Sequence, residues 1–447
     1  MDPGGSALLT DLYQLNMIEA YLAYGETELA TFELFVRKLP KRRGFLMAAG
    51  LEQALQFLEE LHFTSGDIDW LGSTGRFSAL TLDYLAALRF SGDVHAMPEG
   101  TIFFADEPIL RVTAPLPEAQ LVEARLINIL NFQSLVASKA ARSVLAAPGK
   151  LLVDFGLRRA HGAEAGLMAA RASYIAGFAG TATVLAGKMF AIPLYGTMAH
   201  SYIQAHDDEA LAFERFARAR PKGLVLLLDT YDTERAAWKV VRLAPRLKEA
   251  GIEIGSVRLD SGDLAGLSRS VRRILDDGGL ATTTIFASGG LDEDQIMDLI
   301  RTGAPIDGFG VGTSLTTSSD APALDIAYKL EDYAGLPRRK RSTGKETWPG
   351  RKQVWRRQDA QGRMAGDTIS LEDDRLDGEK LIREVMRAGK RTDAALTLEA
   401  IREHAASELA RLPQALRQLA RAATYEVAIG KKLRDLTAAL DGRKDKA

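Results

Sequence analysis

From Lys150 onward the chain alternates short, apolar, β-rich runs with stretches whose apolar residues fall three and four apart. That rhythm leaves few folds open, because it is the pattern of βα units wound around a parallel sheet. The runs end at Asp154-Phe155-Gly156, at 177–181, at Gly196-Thr197, Asp229-Thr230, Asp260-Ser261-Gly262, Ser288-Gly289-Gly290 and at 310–313, which makes seven strand ends. Helical patterns occupy residues 207–220, 233–250, 264–277 and 292–302. Taken singly, the glycines and aspartates only make turns. Their gathering on the C-terminal side of every run favours a site there, since barrels and open α/β sheets both place their chemistry at that edge.

The flanking regions lack this rhythm. Downstream of Ala7, Thr10 or Asp11 is placed to cap a helix carrying Leu12, Leu15, Met17, Ile18, Tyr21 and Leu22 on one face. Residues 30–38 alternate like a strand, 51–61 read as a helix, and 94–112 hold strand-like runs around Pro98, Gly100 and Pro108. Helices and strands without regular alternation predict an α+β domain over 1–117. A single long helix over 118–147, closed by Pro148-Gly149, is expected to connect it to the βα region, giving a second domain over 118–333. The third segment, 334–447, opens on a basic loop or hairpin, PRRKRSTGKETWPGRKQVWRR, continues as helices over 398–422 and 431–442, and ends in a disordered GRKDKA tail.

Charge decides how that basic loop is read. With 57 Lys and Arg against 59 Asp and Glu the chain has no overall field for nucleic acid or a membrane surface. The basic run is therefore expected to fold over an anionic ligand. There is no cysteine, which excludes disulfides, thiolate metal sites and a cysteine nucleophile. No apolar stretch is long enough to span a bilayer, and the first ten residues lack a signal-peptide pattern, so a cytoplasmic protein is expected.

Residues 192–206, IPLYGTMAHSYIQAH, read as a buried strand leaving the core at Gly196 and presenting His200 beside Thr197 and Ser201. A lone histidine of this kind serves either as a structural hydrogen-bonder or in catalysis. Asp229 and Asp260 each follow an apolar run, where paired carboxylates suit Mg²⁺ shared with substrate phosphates; the competing reading is that both cap the next helix. The turns at 288–290 and 310–313 carry small residues that free backbone N–H groups for a phosphate, and neither fits a P-loop or dinucleotide fingerprint. In DFGLRRAHG, Phe155 is suited to stack on a flat ring while Arg158 or Arg159 holds a carboxylate or phosphate; equally, these are a core Phe and surface arginines. The residues by themselves give an α/β barrel-like enzyme for a phosphorylated ligand and an aromatic acid.

These segments resemble, in order along most of the chain, the nicotinate phosphoribosyltransferase family: LLTDLYQLNM, FELFVRKLPKRRGF, DFGLRRAHG, GTMAHS, LLDTYDT, VRLDSGDL, ASGGLDE, GFGVGTSL, PGRKQVWR and ELARLPQALRQL. The resemblance implies an irregular seven-stranded α/β barrel with an N-terminal α+β domain and a C-terminal extension, assembled as a homodimer with shared active sites. It implies transfer of phosphoribosyl from 5-phosphoribosyl 1-pyrophosphate to nicotinate in NAD salvage, coupled to ATP, with Mg²⁺. By the same resemblance His200 is the histidine that ATP phosphorylates, and Tyr13, Thr197 and Arg258 bind nicotinate. Thr313, Gly289, Gly290 and Gly312 hold the phosphoribosyl donor. Phe155 and Tyr13 would sandwich the ring, Arg158 would hold its carboxylate, and Asp229 and Asp260 would hold the metal.

Two related activities stand as alternatives. Nicotinamide-using relatives carry an acidic residue where this chain has Ala182, so the acid is the expected substrate. Quinolinate-using relatives are shorter and lack the histidine motif. A non-catalytic binding relative would be expected to have lost His200, Asp260 or Arg258, and all three are present.

Overall fold

A computed structural model of the chain describes residues 5–419 and 424–444, which fall into two compact units. One consists of residues 139–320 and carries the βα rhythm; the other joins the described residues up to 138 to those from 321 onward.

In residues 139–320 the strands are β1 (Leu151–Asp154), β2 (Gly180–Thr181), β3 (Leu224–Leu227), β4 (Ile254–Leu259), β5 (Thr284–Ala287) and β6 (Gly308–Val311). They form one parallel sheet in the order β2-β1-β6-β5-β4-β3. Leu226, Leu227, Val257, Ile285 and Phe309 are buried, as continuous Val/Leu/Ile runs of a parallel sheet are expected to be. The register brings the strand ends level: Asp154 lies opposite Thr181 and Val311, Ala287 opposite Leu259 and Phe309, and Leu227 opposite Arg258. Residues that follow the strands therefore share one edge.

The sheet has six strands where the sequence predicts seven. The missing one is the run before Gly196. It meets the edge at a single bridge, Thr181 to Leu194, and Leu194 and Tyr195 stay partly exposed instead of entering a buried strand. Pro193 explains part of this, because it offers the ladder a carbonyl, taken by Thr181 N–H at 3.1 Å, and no donor of its own.

Helices Glu209–Ala219, Thr233–Glu249, Leu264–Asp277 and Glu293–Arg301 begin where the periodicity places them, each behind an aspartate cap: Asp208, Asp232, Asp263 and Asp292. Asp232 accepts from Arg235 N–H at 2.9 Å and Asp263 from Gly266 N–H at 3.1 Å. The caps thus sit three residues beyond Asp229 and Asp260, and capping accounts for neither of those two.

The other unit is built on a seven-stranded sheet in which Leu29–Val36 pairs antiparallel with both Pro108–Pro115 and Ile326–Tyr333. Phe32 stacks on Tyr328 at 4.8 Å, and the Tyr328 hydroxyl donates to the Ala119 carbonyl at 2.8 Å. A four-stranded sheet holds Lys352–Gln358 and Met364–Leu371, and the helices include Leu12–Tyr24, Leu51–Glu60, Leu398–Arg411 and Lys431–Lys444. Strands from beyond residue 320 complete the N-terminal sheet, so the boundaries drawn at 117 and 333 do not follow the compact bodies.

Three local expectations change. The connector is two helices, Leu116–Leu121 and Glu123–Ala146, with the break at Val122. The helix begun at Leu398 stops at Arg411 before Pro413, and a 3-10 turn, Gln414–Arg417, follows. Of the tail read as disordered, Gly442 to Lys444 belong to the last helix, while 445–447 lie outside the described residues, as do 420–423. No helix among the described residues is long and apolar enough to cross a membrane.

Candidate active site

A cavity of about 670 Å³ opens at the level edge of the six-stranded sheet. It collects the residues that follow five of the six strands, all but β3, together with the segment carrying His200. Of the residues singled out in the sequence, Phe155, Arg158, Ala182, Thr197, His200, Arg258, Asp260, Gly289, Gly290, Gly312 and Thr313 line it.

Arg258 is the most constrained group. Extended from β4, its Nη1 donates to Thr197 Oγ1 at 2.6 Å and to the Met198 carbonyl at 3.1 Å, and its Nε donates to Ser288 Oγ at 3.1 Å. Nη2 lies 3.3 Å from Asp260 Oδ1. Of the five N–H donors of a guanidinium, one on Nη2 remains for a ligand. The Ser288 hydroxyl in turn donates to Asp260 Oδ1, which closes a ring of Arg258, Ser288 and Asp260.

His200 starts a five-residue helix, His200–Gln204, and its side chain is about one third exposed. Nδ1 is hydrogen-bonded to Thr230 Oγ1 at 3.1 Å, and Nε2 faces Asp260 Oδ2 at 3.7 Å. One nitrogen is thereby anchored from outside, and the other points to a carboxylate on the cavity wall.

Behind Asp260, Asp229 accepts the Asp260 backbone N–H at 3.0 Å and the Ser261 hydroxyl on Oδ2, while its Oδ1 is buried without a partner. Asp229 does not line the cavity. Its immediate role is to fix the turn that carries Asp260. The free oxygens, Asp229 Oδ1 and Asp260 Oδ2, suit a hard cation that takes one or two carboxylates and fills its remaining positions with water and phosphate oxygens. Among the described residues no cluster of three or more His, Asp or Glu would hold a metal by itself.

Phe155 packs on glycine. A Cβ at Gly310 would come within 2.5 Å of its ring, and Phe286 lies at a tilted 5.8 Å. Beneath it, Asp154 accepts from Gly156 N–H at 2.8 Å and Thr181 Oγ1 at 2.7 Å, and burial raises its carboxyl above the usual range. Arg158 and Arg159 stand exposed on the turn Leu157–Arg159 and make no ion pair among the described residues, so both face the cavity with their charge uncompensated. The glycine turn at 289–290 needs its glycines. Both have positive φ, 98° and 72°, and a Cβ on Gly289 would lie 1.8 Å from the Asp260 carbonyl oxygen.

Tyr13 is not part of this cavity. It lies in the other unit, near the start of helix Leu12–Tyr24, 45% exposed, with partial burial and the adjacent Glu123 raising its phenol. Sequence reasoning missed Ser288 as a link between Arg258 and Asp260, and Thr230 as the anchor of His200. Their hydroxyls sit next to singled-out residues, and that adjacency was the available signal.

Comparison with known proteins covers most of the chain. Three family models match in order: the nicotinate phosphoribosyltransferase N-terminal domain over residues 8–131, the nicotinate phosphoribosyltransferase family over 151–335, and the corresponding C-terminal domain over 374–437. Nicotinate phosphoribosyltransferase pncB2 of Mycobacterium tuberculosis is 48% identical, over 96% of this chain and 92% of its own. The chain belongs to the nicotinate phosphoribosyltransferase family. The Bacillus subtilis nicotinate phosphoribosyltransferase is 44% identical over 84% of this chain and 78% of its own. The solved structure of human nicotinic acid phosphoribosyltransferase superposes with a TM-score of 0.88 at 28% identity, covering 96% of this chain and 99% of that one.

Proposed function

We propose that this chain transfers the phosphoribosyl group of 5-phosphoribosyl 1-pyrophosphate to nicotinate, giving nicotinate mononucleotide and pyrophosphate in NAD salvage, with ATP consumed alongside. The observation that carries the reading is the convergence of His200, Asp260, Arg258, the arginines of the Leu157–Arg159 turn and the glycine pair 289–290 on one cavity. The family membership of the chain supports it, since the relatives above are named for this reaction.

The pyridine nitrogen attacks the anomeric carbon as the bond to pyrophosphate breaks. Positive charge builds on the sugar and negative charge on the leaving group, so the protein's task is orientation and charge stabilisation. Arg158 and Arg159 bring cationic charge to the departing anion, and the turn at Gly289 and Gly290 lets backbone approach the phosphates closely. Phe155 offers a ring face to the pyridine. The remaining Nη2 donor of Arg258 suits the nicotinate carboxylate. Among the described residues Asp260 is the one acidic side chain lining the cavity, and its charge is balanced by Arg258, so little net negative charge opposes an acid substrate. Ala182 leaves its own position without charge.

Mg²⁺, when bound through Asp229 and Asp260, would neutralise the pyrophosphate. His200 accepts the γ-phosphoryl group of ATP on Nε2, releasing ADP, and later hydrolysis of the phosphohistidine returns phosphate. The bond to Thr230 holds Nδ1 so that Nε2 presents its lone pair. A second copy of the chain supplies Tyr13 to complete the ring pocket, which makes the working form a homodimer with shared sites, in the cytoplasm. The test is product formation from radiolabelled nicotinate and 5-phosphoribosyl 1-pyrophosphate with Mg²⁺, then with EDTA. Labelled nicotinate mononucleotide that disappears in chelator is expected; no product from nicotinate would overturn the reading.

A further inference from the structure

A second cavity, of about 530 Å³, lies in the other unit beside the edge strand Leu336–Pro337. Its wall carries five cationic side chains, Lys329 and the consecutive run 338–341, over apolar residues that include Leu330 and Leu440; among the described residues no acidic one lines it. In a chain with a net charge of −2, four adjacent cations are a local accumulation.

Only part of that charge is answered. Arg339 and Arg341 both pair with Asp441, at 2.7 and 3.2 Å, and Lys329 lies 3.8 Å from Glu123. Arg338 and Lys340 have no ionic partner among the described residues, and the Arg339 Nε is buried with no acceptor. Two carboxylates against five cations leave three positive charges facing one concavity. The backbone here is fixed: Arg338 N–H donates to the Glu331 carbonyl at 2.9 Å, and Lys340 N–H donates to Thr347 Oγ1 at 3.1 Å. Thr347 N–H returns a bond to the Lys340 carbonyl at 3.1 Å. A solvated basic face would need neither this pinning nor an apolar floor.

We propose that this cavity is a second binding site, for a nucleoside triphosphate. The phosphates lie against Arg338 and Lys340, and the base covers the apolar floor formed with Leu330 and Leu440. The excess of about three charges matches a triphosphate, and the volume falls in the range of small-ligand sites. A polynucleotide fits less well, because the cations are confined to one concavity on a chain of slightly negative net charge. The site is separate from the one that holds His200, and the proposal does not depend on the activity proposed above.

The test is isothermal titration of the full-length chain and of Arg338→Ala/Lys340→Ala with ATP, inorganic tripolyphosphate, NAD and a short RNA. Both substituted side chains are exposed and belong to no part of the catalytic cavity, so fold and basal turnover should be unchanged. A class of ATP sites weakened by about a hundredfold in the variant, the effect of removing two charge-assisted contacts, is expected. Tripolyphosphate should compete for that class, and NAD only weakly. Identical ATP isotherms for the two proteins would overturn the proposal, as would loss of RNA binding alone, or a change of oligomeric state in place of a change in binding.

Discussion

His200 Nε2 faces Asp260 Oδ2 at 3.7 Å across the cavity wall, and the two side chains are held there by different partners. Asp260 is fixed by Ser288, Arg258 and, through its backbone, Asp229; His200 is fixed by Thr230. The gap exceeds a hydrogen bond, so the imidazole is positioned beside the carboxylate without being locked to it. That arrangement suits the phosphoryl acceptance proposed for His200.

Thr230→Val keeps the shape of the side chain and removes the acceptor for Nδ1. It should lower the stimulation of turnover by ATP about tenfold, the size of one hydrogen bond that orients a reacting group, while ATP-independent transfer stays near wild type. Steady-state rates with and without ATP check this. An equal fall in both rates would mark Thr230 as merely structural.

Gly289→Ala and Gly290→Ala should separate crowding from strain. Both positions have positive φ, which costs an alanine about 1 kcal/mol. Only Gly289 has the Asp260 carbonyl 1.8 Å from its would-be Cβ, whereas Gly290 has open space. Thermal denaturation should therefore show a loss of more than about 2 kcal/mol for Gly289→Ala, with collapse of activity, and about 1 kcal/mol for Gly290→Ala.

Ala182→Asp should place a second carboxylate on the cavity lining. At about 5 Å and an effective dielectric near 20, two like charges repel by about 3 kcal/mol, and exposure reduces this. KM for nicotinate should rise about tenfold or more, with a much smaller change for nicotinamide. Equal shifts for both substrates would mean that residue 182 does not face the carboxylate.

Burial beside Glu33 pushes the Glu331 carboxyl up to about 8, although Lys352 opposes the shift. A carboxyl whose folded pKa is raised contributes stability that is complete below its unfolded value near 4.5 and is lost as pH rises through about 8. Tm should accordingly fall between pH 5 and 8.5, and Glu331→Gln should flatten that part of the profile. An unchanged slope in the variant would assign the pH dependence to other groups.

Much of this site was legible because strand ends leave local marks. Six of the seven strand ends marked in the sequence belong to the six strands of the parallel sheet, and level parallel registers turned those marks into one edge. Pairing partners were not legible. Ile326–Tyr333 reads as a strand anywhere, and nothing local says that it completes a sheet with Leu29–Val36 some three hundred residues earlier. The same limit hid Thr230 and Ser288, whose roles depend on neighbours about thirty residues away. The run before Gly196 misled for the opposite reason: its composition suits a strand, but Pro193 and partial exposure leave it one bridge. For Asp229 and Asp260 the sequence left helix capping open beside metal binding, and the actual caps, Asp232 and Asp263, lie three residues further on.

The central claim is that the imidazole of His200 connects ATP to phosphoribosyl transfer in one cavity. The most direct measurement is the rate of nicotinate mononucleotide formation, with and without ATP, by the wild-type chain and by His200→Ala. The account predicts marked ATP stimulation in the wild type and none in the variant, which keeps a slow ATP-independent transfer. Undiminished ATP stimulation in His200→Ala would contradict it.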